Sequence, residues 1–275
     1  MAITAREIIE RMRDKLGSEQ IGVGRIDKIT AGSMDTEVRG IASVIMVTLD
    51  AAKRAIDKGL NMVITHESTY FSHQDNTAQF QNDATYKFKR DFFEKNNMIV
   101  LHLHDALHIG SPDGILKGLI KEMGWENNLN PQGRNAFTFP SIPLAEFVQN
   151  MAKKLDIRTM RIEGDPKMPV SHIVTSLGNA GSDACARAIA RDDVDVFIIG
   201  ETDEWETAGY VLDVIKAGKK KAIIYMGHME SEQMGMKFLA AQMKEYIKEV
   251  PVEYVTLPEL FWRTKNPVWE FKKLS

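Results

Sequence analysis

Met98-Ile99-Val100-Leu101-His102-Leu103-His104-Asp105-Ala106-Leu107-His108 is the stretch from which the rest of this chain is read. Its apolar, partly β-branched run lies between Asn96-Asn97 and Gly110-Ser111-Pro112, too short for a helix and suited to a buried strand. Three of the chain's seven histidines then sit at the C-terminal end of that strand. In open α/β sheets, ligands bind just outside the carboxyl ends of the strands. The period of two places His102 and His104 on one face, and His108 returns to the same mouth if the chain turns after Asp105. A single histidine at a strand end is more often a satisfied polar residue than a ligand. Three together, with matching partners elsewhere, point to metal chemistry.

Working outward, the same grammar recurs. Residues 41–47 (Ile-Ala-Ser-Val-Ile-Met-Val) read as a strand, Asp50 caps a helix through Lys58, Gly59 stops it, and residues 60–65 form the next strand. So compact a βαβ unit implies parallel strands, and its second strand ends in His66-Glu67. Residues 68–83 are polar and read as a long loop over the mouth; His73 in it is an exposed loop residue or a substrate contact. Residues 84–95 are predicted helical, with Phe88, Phe92 and Phe93 in the core. Upstream, Thr4-Ala5-Arg6-Glu7 is a capping box for a helix that Gly17 ends, followed by a polar, glycine-bearing segment over 18–40.

Downstream, Ser111-Pro112-Asp113 opens a helix over 115–123, and the Asn, Pro and Gly of 127–141 suggest a boundary. Residues 141–155 read as a helix with Pro143 in its first turn, and 158–164 as an edge strand. Strands at 172–177, 194–199 and 222–226 then alternate with a tight turn at 178–182 and with helices at 183–191, 204–216 and 233–247, before a last strand at 252–257. Two of these strands run into Gly200-Glu201 and Gly227-His228-Met229-Glu230-Ser231-Glu232. The expected fold class is α/β, with two similar α/β lobes built on mixed, largely parallel sheets. The expected bounds are an N-terminal lobe over 1–126, a connecting segment with a helix and an edge strand over 127–170, and a C-terminal lobe over 171–275.

Bulk properties exclude several function classes. The 275 residues are 44% hydrophobic and 27% charged, as in a soluble globular protein long enough for one large domain or two lobes. A net charge of -3 argues against general attraction to nucleic acid or acidic membranes, and Lys219-Lys220-Lys221 reads as a solvated turn ahead of a buried strand. The single cysteine, Cys185, precludes an intrachain disulfide and suits a reducing compartment. No stretch is apolar for long enough to cross a bilayer, and charged residues interrupt the N-terminal helix where a signal core would lie, so a cytoplasmic location is expected.

Three strand ends supply His66 with Glu67, His104 with His108, and His228 with Glu232. Mixed imidazole and carboxylate sets suit zinc, iron, manganese or cobalt rather than calcium, which prefers oxygen alone. Adjacent His66 and Glu67 point to opposite sides of an extended backbone and would serve two separate ions. His228 and Glu232, four apart, share a helical face if the helix begins there; otherwise Glu232 is an ordinary acid near a helix N-terminus.

These residues resemble the dinuclear-metal Nif-three-like proteins, often labelled GTP cyclohydrolase I type II homologues. The resemblance spans nearly the whole chain. It rests on Leu49-Asp50, Ile64-Thr65-His66-Glu67, His104-Asp105-Ala106-Leu107-His108, the stretch from Gly178 to Asp183, Gly200-Glu201, and above all the His-x-x-x-Glu of His228 and Glu232. It implies two metal ions held between the two α/β halves and a ring-shaped homohexamer. Glu67 stands where the family has a second histidine and His108 where it has an aspartate, a reciprocal exchange that conserves ligand count and charge. The expected metal ligands are therefore His66, Glu67, His108, His228 and Glu232. His104 is expected to serve as proton shuttle or as a hydrogen-bonding support. Two divalent ions against two carboxylates leave net positive charge for a hydroxide or an anionic substrate, so hydrolysis of a small anionic or nucleotide-like molecule is the expected reaction. Two further readings are a non-enzymatic hexameric metal-binding regulator or scaffold, and a phosphate-binding turn at 178–182.

Overall fold

The computed structural model describes residues 2–131, 135–258 and 260–261. The chain forms two compact units, Met1–Gly114 together with Met236–Ser275, and Ile115–Gly235. In chain order the first unit begins with β1 (Ile3–Thr4), α1 (Ala5–Leu16), β2 (Lys28–Ala31), β3 (Glu37–Val38), β4 (Ile41–Val44), α2 (Leu49–Asp57), β5 (Met62–Thr65), α3 (Ala84–Lys95) and β6 (Ile99–His102). The capping box forms as expected: the Thr4 side chain accepts from the Glu7 N–H, the Glu7 side chain returns to the Thr4 backbone, and Gly17 ends α1 at φ 71°. Helix α2 starts earlier than the sequence suggests. Thr48, not Asp50, is its cap, its hydroxyl accepting from the Ala51 N–H at 3.1 Å.

Strands β4, β5 and β6 are buried along their whole length, as parallel strands covered on both faces must be. They pair in parallel register, Ile41 opposite Met62 and Met62 opposite Ile99. On the far side of β6 lies antiparallel β2, an edge strand inside the segment the sequence presents as polar loop. The other edge comes from β12 (Val252–Tyr254), which runs parallel to β4. Residues 252–254 therefore belong to the first sheet, whereas the sequence reading assigns them, with everything from 171 onward, to the second lobe. Of the three aromatic residues expected in the core from α3, Phe93 is buried but Phe88 is 49% exposed.

The second unit comprises α4 (Gly114–Met123), β7 (Ala136–Pro143), α5 (Leu144–Leu155), β8 (Arg161–Glu163), β9 (Pro169–Asn179), α6 (Ser182–Ala190), β10 (Val196–Glu201), α7 (Glu204–Lys216) and β11 (Ala222–Tyr225). Helix α8 (His228–Tyr246) carries the chain back to the first unit. The second sheet has the order β7-β9-β10-β11-β8, with a parallel centre of β9, β10 and β11 and antiparallel edges. Its two faces follow the period of two. Val196, Ile198 and Ile224 pack with Leu119 of α4 and Met151 of α5, while Phe197, Ile199 and Ile223 pack with Ile189 of α6 and Val211 of α7. Strand β7 occupies the stretch expected to be a boundary. Proline restricts a strand to a sheet edge or a bulge, and here Pro140 lies at both: β7 is the edge strand, with a register shift between Thr138 and Ile142. Pro143 caps α5 rather than occupying its first turn. Among the described residues no helix is long and apolar enough to cross a membrane.

Candidate metal centre

In the first unit, Thr65 and His102 are the last partners of the β5–β6 ladder, and the Leu103 N–H extends it by donating to the Thr65 carbonyl at 2.9 Å. The side chains that follow are thereby delivered to one sheet end. Thr65 also organises its own strand exit, accepting from the Val47 N–H at 3.0 Å and donating to the Glu67 carbonyl at 3.0 Å. His66, next in line, is fully buried. Its Nδ1 lies 3.3 Å from the Leu103 carbonyl oxygen, which can only accept, so Nδ1 carries the proton and Nε2 the lone pair.

After β6 the chain turns sharply at His104 into a single helical turn over Asp105–His108. What enforces the turn is Asp27, a buried residue that the sequence reading passed over. Its carboxylate accepts from the N–H groups of His104, Asp105 and Ala106 at 2.7, 2.9 and 2.8 Å. Three backbone donors converge on one buried anion. The result brings His104 and His108 to His66: ring centroids are 4.5 Å apart for His66 and His104, 4.6 Å for His104 and His108, and 5.2 Å for His66 and His108. Donor atoms of the three lie within 4.8 Å of one another.

Each imidazole is fixed in the same sense. His108 Nδ1 faces Asp113 Oδ2 at 3.0 Å, and His104 Nδ1 faces Asp105 Oδ1 at 3.0 Å. An oxygen acceptor on Nδ1 sets the ring tautomer and raises the basicity of Nε2, the arrangement found behind metal-bound histidines. Burial, together with the neighbouring His66, His108 and His73 rings, holds the His104 pKa down at about 4, against the pull of Asp105. At neutral pH the ring is an uncharged lone-pair donor.

His102 does not join these candidate donors; its ring instead stands edge to face with that of His73, centroids 6.2 Å apart. It is fully buried, neither ring nitrogen has a hydrogen-bond partner among the described residues, and its nearest acid is Asp75, 3.9 Å away. Burial lowers its pKa, so it packs as a neutral ring. Asp75 instead latches the loop over 68–83, accepting from the N–H groups of Thr69, Tyr70 and Phe71 at 2.7, 2.6 and 3.1 Å. Lys89 of α3 holds the same loop by donating to the Thr69 carbonyl, and burial pushes its pKa down to about 8.

In the second unit, α8 begins at His228, so His228 and Glu232 do lie one turn apart on one helical face. His228 Nε2 is 3.3 Å from Glu232 Oε2, and Glu201 at the end of β10 accepts from His228 Nδ1 at 2.8 Å. Glu201 is thus a ring-orienting residue; the sequence marks it as a strand end and as part of the Gly200-Glu201 motif but gives it no role. Gly178, at φ 65°, leaves room for Glu232: a Cβ there would fall 2.5 Å from Glu232 Oε1. Three N–H groups of the turn read as a phosphate cradle already have acceptors. Gly178 N–H donates to Ser231 Oγ, Ala180 N–H to the Glu201 carbonyl, and Gly181 N–H to Asn179 Oδ1. These bonds tie the turn to Ser231 and Glu201, as a packing element would be tied.

Two α/β units, one with clustered imidazoles and the other with a His-x-x-x-Glu turn, each at the ends of parallel strands, define an α/β protein with candidate metal ligands in both. The Duf34/NIF3 (NGG1p interacting factor 3) family model matches residues 6–259, and the chain belongs to that family. Among solved structures it is similar to a Staphylococcus aureus hypothetical protein, SA1388, at 15% identity and a TM-score of 0.75, covering 96% of this chain and 100% of that one. A Bacillus cereus protein related to NIF3 is 13% identical with a TM-score of 0.74, over 98% of this chain and 99% of the other. Reduced HcgD from Methanocaldococcus jannaschii is 17% identical with a TM-score of 0.60, over 94% and 99%. At these identities the likeness is one of fold. No curated protein matches the chain.

Proposed function

We propose that this protein is a metal-dependent hydrolase acting on a small anionic or nucleotide-like substrate through two divalent cations, zinc, iron, manganese or cobalt. His66, Glu67 and His108 of the first unit and His228 and Glu232 of the second are the ligands in this proposal. The observation that carries it is the uniform setting of the imidazoles: His66, His108 and His228 each have Nδ1 facing an oxygen acceptor, which presents Nε2 as the donor. When bound, such a pair supplies Lewis acidity and makes water a nucleophile at neutral pH. His104, neutral at pH 7, accepts a proton at Nε2 while Asp105 holds its Nδ1. Glu67 and Glu232 offset part of the cation charge and leave the remainder to attract an anionic substrate.

The cyclohydrolase label rests on family resemblance. A panel of phosphate esters, cyclic amidines and nucleotides, assayed with each of the four metals, tests the reading: turnover that depends on metal and is abolished in His228→Ala supports it. Anomalous scattering should place two ions against the five named residues, and a single-ion or ion-free crystal despite added metal overturns the pair. A second reading, a homohexameric metal-binding scaffold, is favoured by Trp205 of α7, 82% exposed, and by the interacting-factor description of the family. Sedimentation that shows a hexamer, partners captured by pull-down and no turnover across the panel would favour it.

A further inference from the structure

His73 and Asp105 are not among the ligands of the proposed pair, yet both meet His104. His73 Nε2 lies 3.9 Å from Asp105 Oδ1, the His73 and His104 rings stand edge to face with centroids 4.4 Å apart, and His104 Nδ1 is 3.0 Å from the same Asp105 oxygen. Donor atoms of the three residues fall within 4.8 Å of one another. Ligand atoms around a tetrahedral zinc, with bonds of about 2.0–2.1 Å, are about 3.3 Å apart. The three groups therefore need to close by only a small side-chain movement.

Neither arm of this cluster hangs from loose chain. Asp27 clamps the backbone of His104, Asp105 and Ala106 on one side. On the other, Asp75 gathers three N–H groups of the loop, Lys28 Nζ donates to the Gln74 carbonyl at 2.7 Å, and Ser72 and Asp75 hold left-handed φ values of 59° and 52° on either side of His73. A loop fixed with two non-glycine residues in that region is holding its side chains in place at a conformational cost.

We propose that His73, His104 and Asp105 form an outer cation site for a borderline divalent ion such as zinc or cobalt, separate from the pair and built from the first unit alone. Two imidazoles and one carboxylate are a donor set of that class. The ion takes His73 Nε2, an Asp105 oxygen and His104 Nδ1, the His104 ring changing tautomer so that its single N–H proton moves through solvent from Nδ1 to Nε2; ion binding here and proton uptake at Nε2 therefore exclude one another. The His73 and Asp105 side chains are 50% and 63% exposed, so water completes the shell and the site is the weaker of the two.

Cobalt(II) serves as the probe, read by its visible absorption and by equilibrium dialysis. His73→Ala and Asp105→Asn are each expected to bind one equivalent fewer than the wild-type chain, the missing equivalent being the weakest. His228→Ala is expected to keep that equivalent while losing tighter binding. His73→Cys should bind it with a new thiolate-to-cobalt charge-transfer band in the near ultraviolet. Unchanged stoichiometry and affinity in His73→Ala, or no thiolate band in His73→Cys, overturns the outer site and leaves the pair standing. Loss of the same equivalent in His228→Ala also overturns it, by assigning that ion elsewhere. Failure of the pair has a different signature: no equivalent sensitive to His228→Ala.

Discussion

Asp27 shows how much one carboxylate can decide. It sits outside every strand and helix, is 2% exposed, and three N–H groups at the end of the histidine strand depend on it. Charge-assisted bonds of this kind are stronger than neutral ones, and removing the acceptor strands its donors. Asp27→Ala should cost on the order of 3 kcal/mol in urea denaturation, and cation binding at His104 and His108 should weaken with it; a loss under about 0.5 kcal/mol, the usual range for a plain surface substitution, would show that the turn holds itself. Nothing in the sequence distinguishes Asp27 from any other acid, because its partners are backbone groups more than seventy residues away. The histidines were legible for the opposite reason: their apolar strand announces where they emerge. Lys89 carries a pH signature. Burial lowers its pKa to about 8 from an ordinary value of 10.5, while Asp75 opposes the shift and the Tyr70 and Phe93 rings lie alongside. Between about pH 8 and 10 the unfolded chain keeps the proton that the folded chain has released, so this residue's contribution to stability rises with pH across that window. The stability difference between wild type and Lys89→Met should therefore shift in favour of the wild type from pH 8 to pH 10; a pH-independent difference would mean that the ammonium is not desolvated.

At the scale of elements, the candidate ligands of the second unit depend on what β9 and β10 present to the first turn of α8. Glu201 at the end of β10 orients His228, and supporting hydrogen bonds of this type typically change metal affinity by about 10–100-fold when removed. Glu201→Gln should weaken zinc binding by that order in a competition titration while leaving the melting temperature of the metal-free protein nearly unchanged. Gly178→Ala is expected to be worse, since the added methyl meets the Glu232 carboxylate and the backbone sits at φ 65°. It should lower both stability and metal affinity, and a neutral outcome would mean that β9 can shift away from α8. Helices and parallel strands were well marked in the sequence. The capping box at Thr4, the α3 span and the buried runs of β4, β5, β6 and β10 all appear where the pattern places them. The edges were not. β2 and β7 are short or proline-bearing, half-covered strands whose pairing is set by a distant neighbour, so no local period betrays them. The start of α8 was missed for a related reason: its first residues carry site chemistry in place of an apolar stripe.

For the molecule as a whole, cations bound only by the folded chain must stabilise it. At a free concentration of 100 times Kd the gain is about 2.7 kcal/mol, so the thermal midpoint should climb with added zinc and fall on chelation, and His228→Ala should blunt the response. A midpoint indifferent to both treatments would argue against ligands that belong to the folded state. The far edge of the first sheet supplies another expectation. Val252, Val255 and Leu257 are buried, the Ile41 N–H donates to the Pro251 carbonyl at 2.8 Å, and the Val255 N–H to Ser43 at 3.0 Å. Deleting residues 251–261 would bare the edge of β4, an invitation to intermolecular pairing; light scattering should rise in the truncated chain, and a clear monodisperse solution would refute this role for β12. The same strand imposes an order on synthesis. The second unit is one uninterrupted segment and can mature as soon as it clears the ribosome, whereas the first, its N-terminal part complete at Gly114, must wait with one flank of its sheet open for roughly 140 further residues, a delay of about ten to thirty seconds at bacterial or eukaryotic elongation rates. During that interval the nascent chain exposes a β-edge that a ribosome-associated chaperone would have reason to cover.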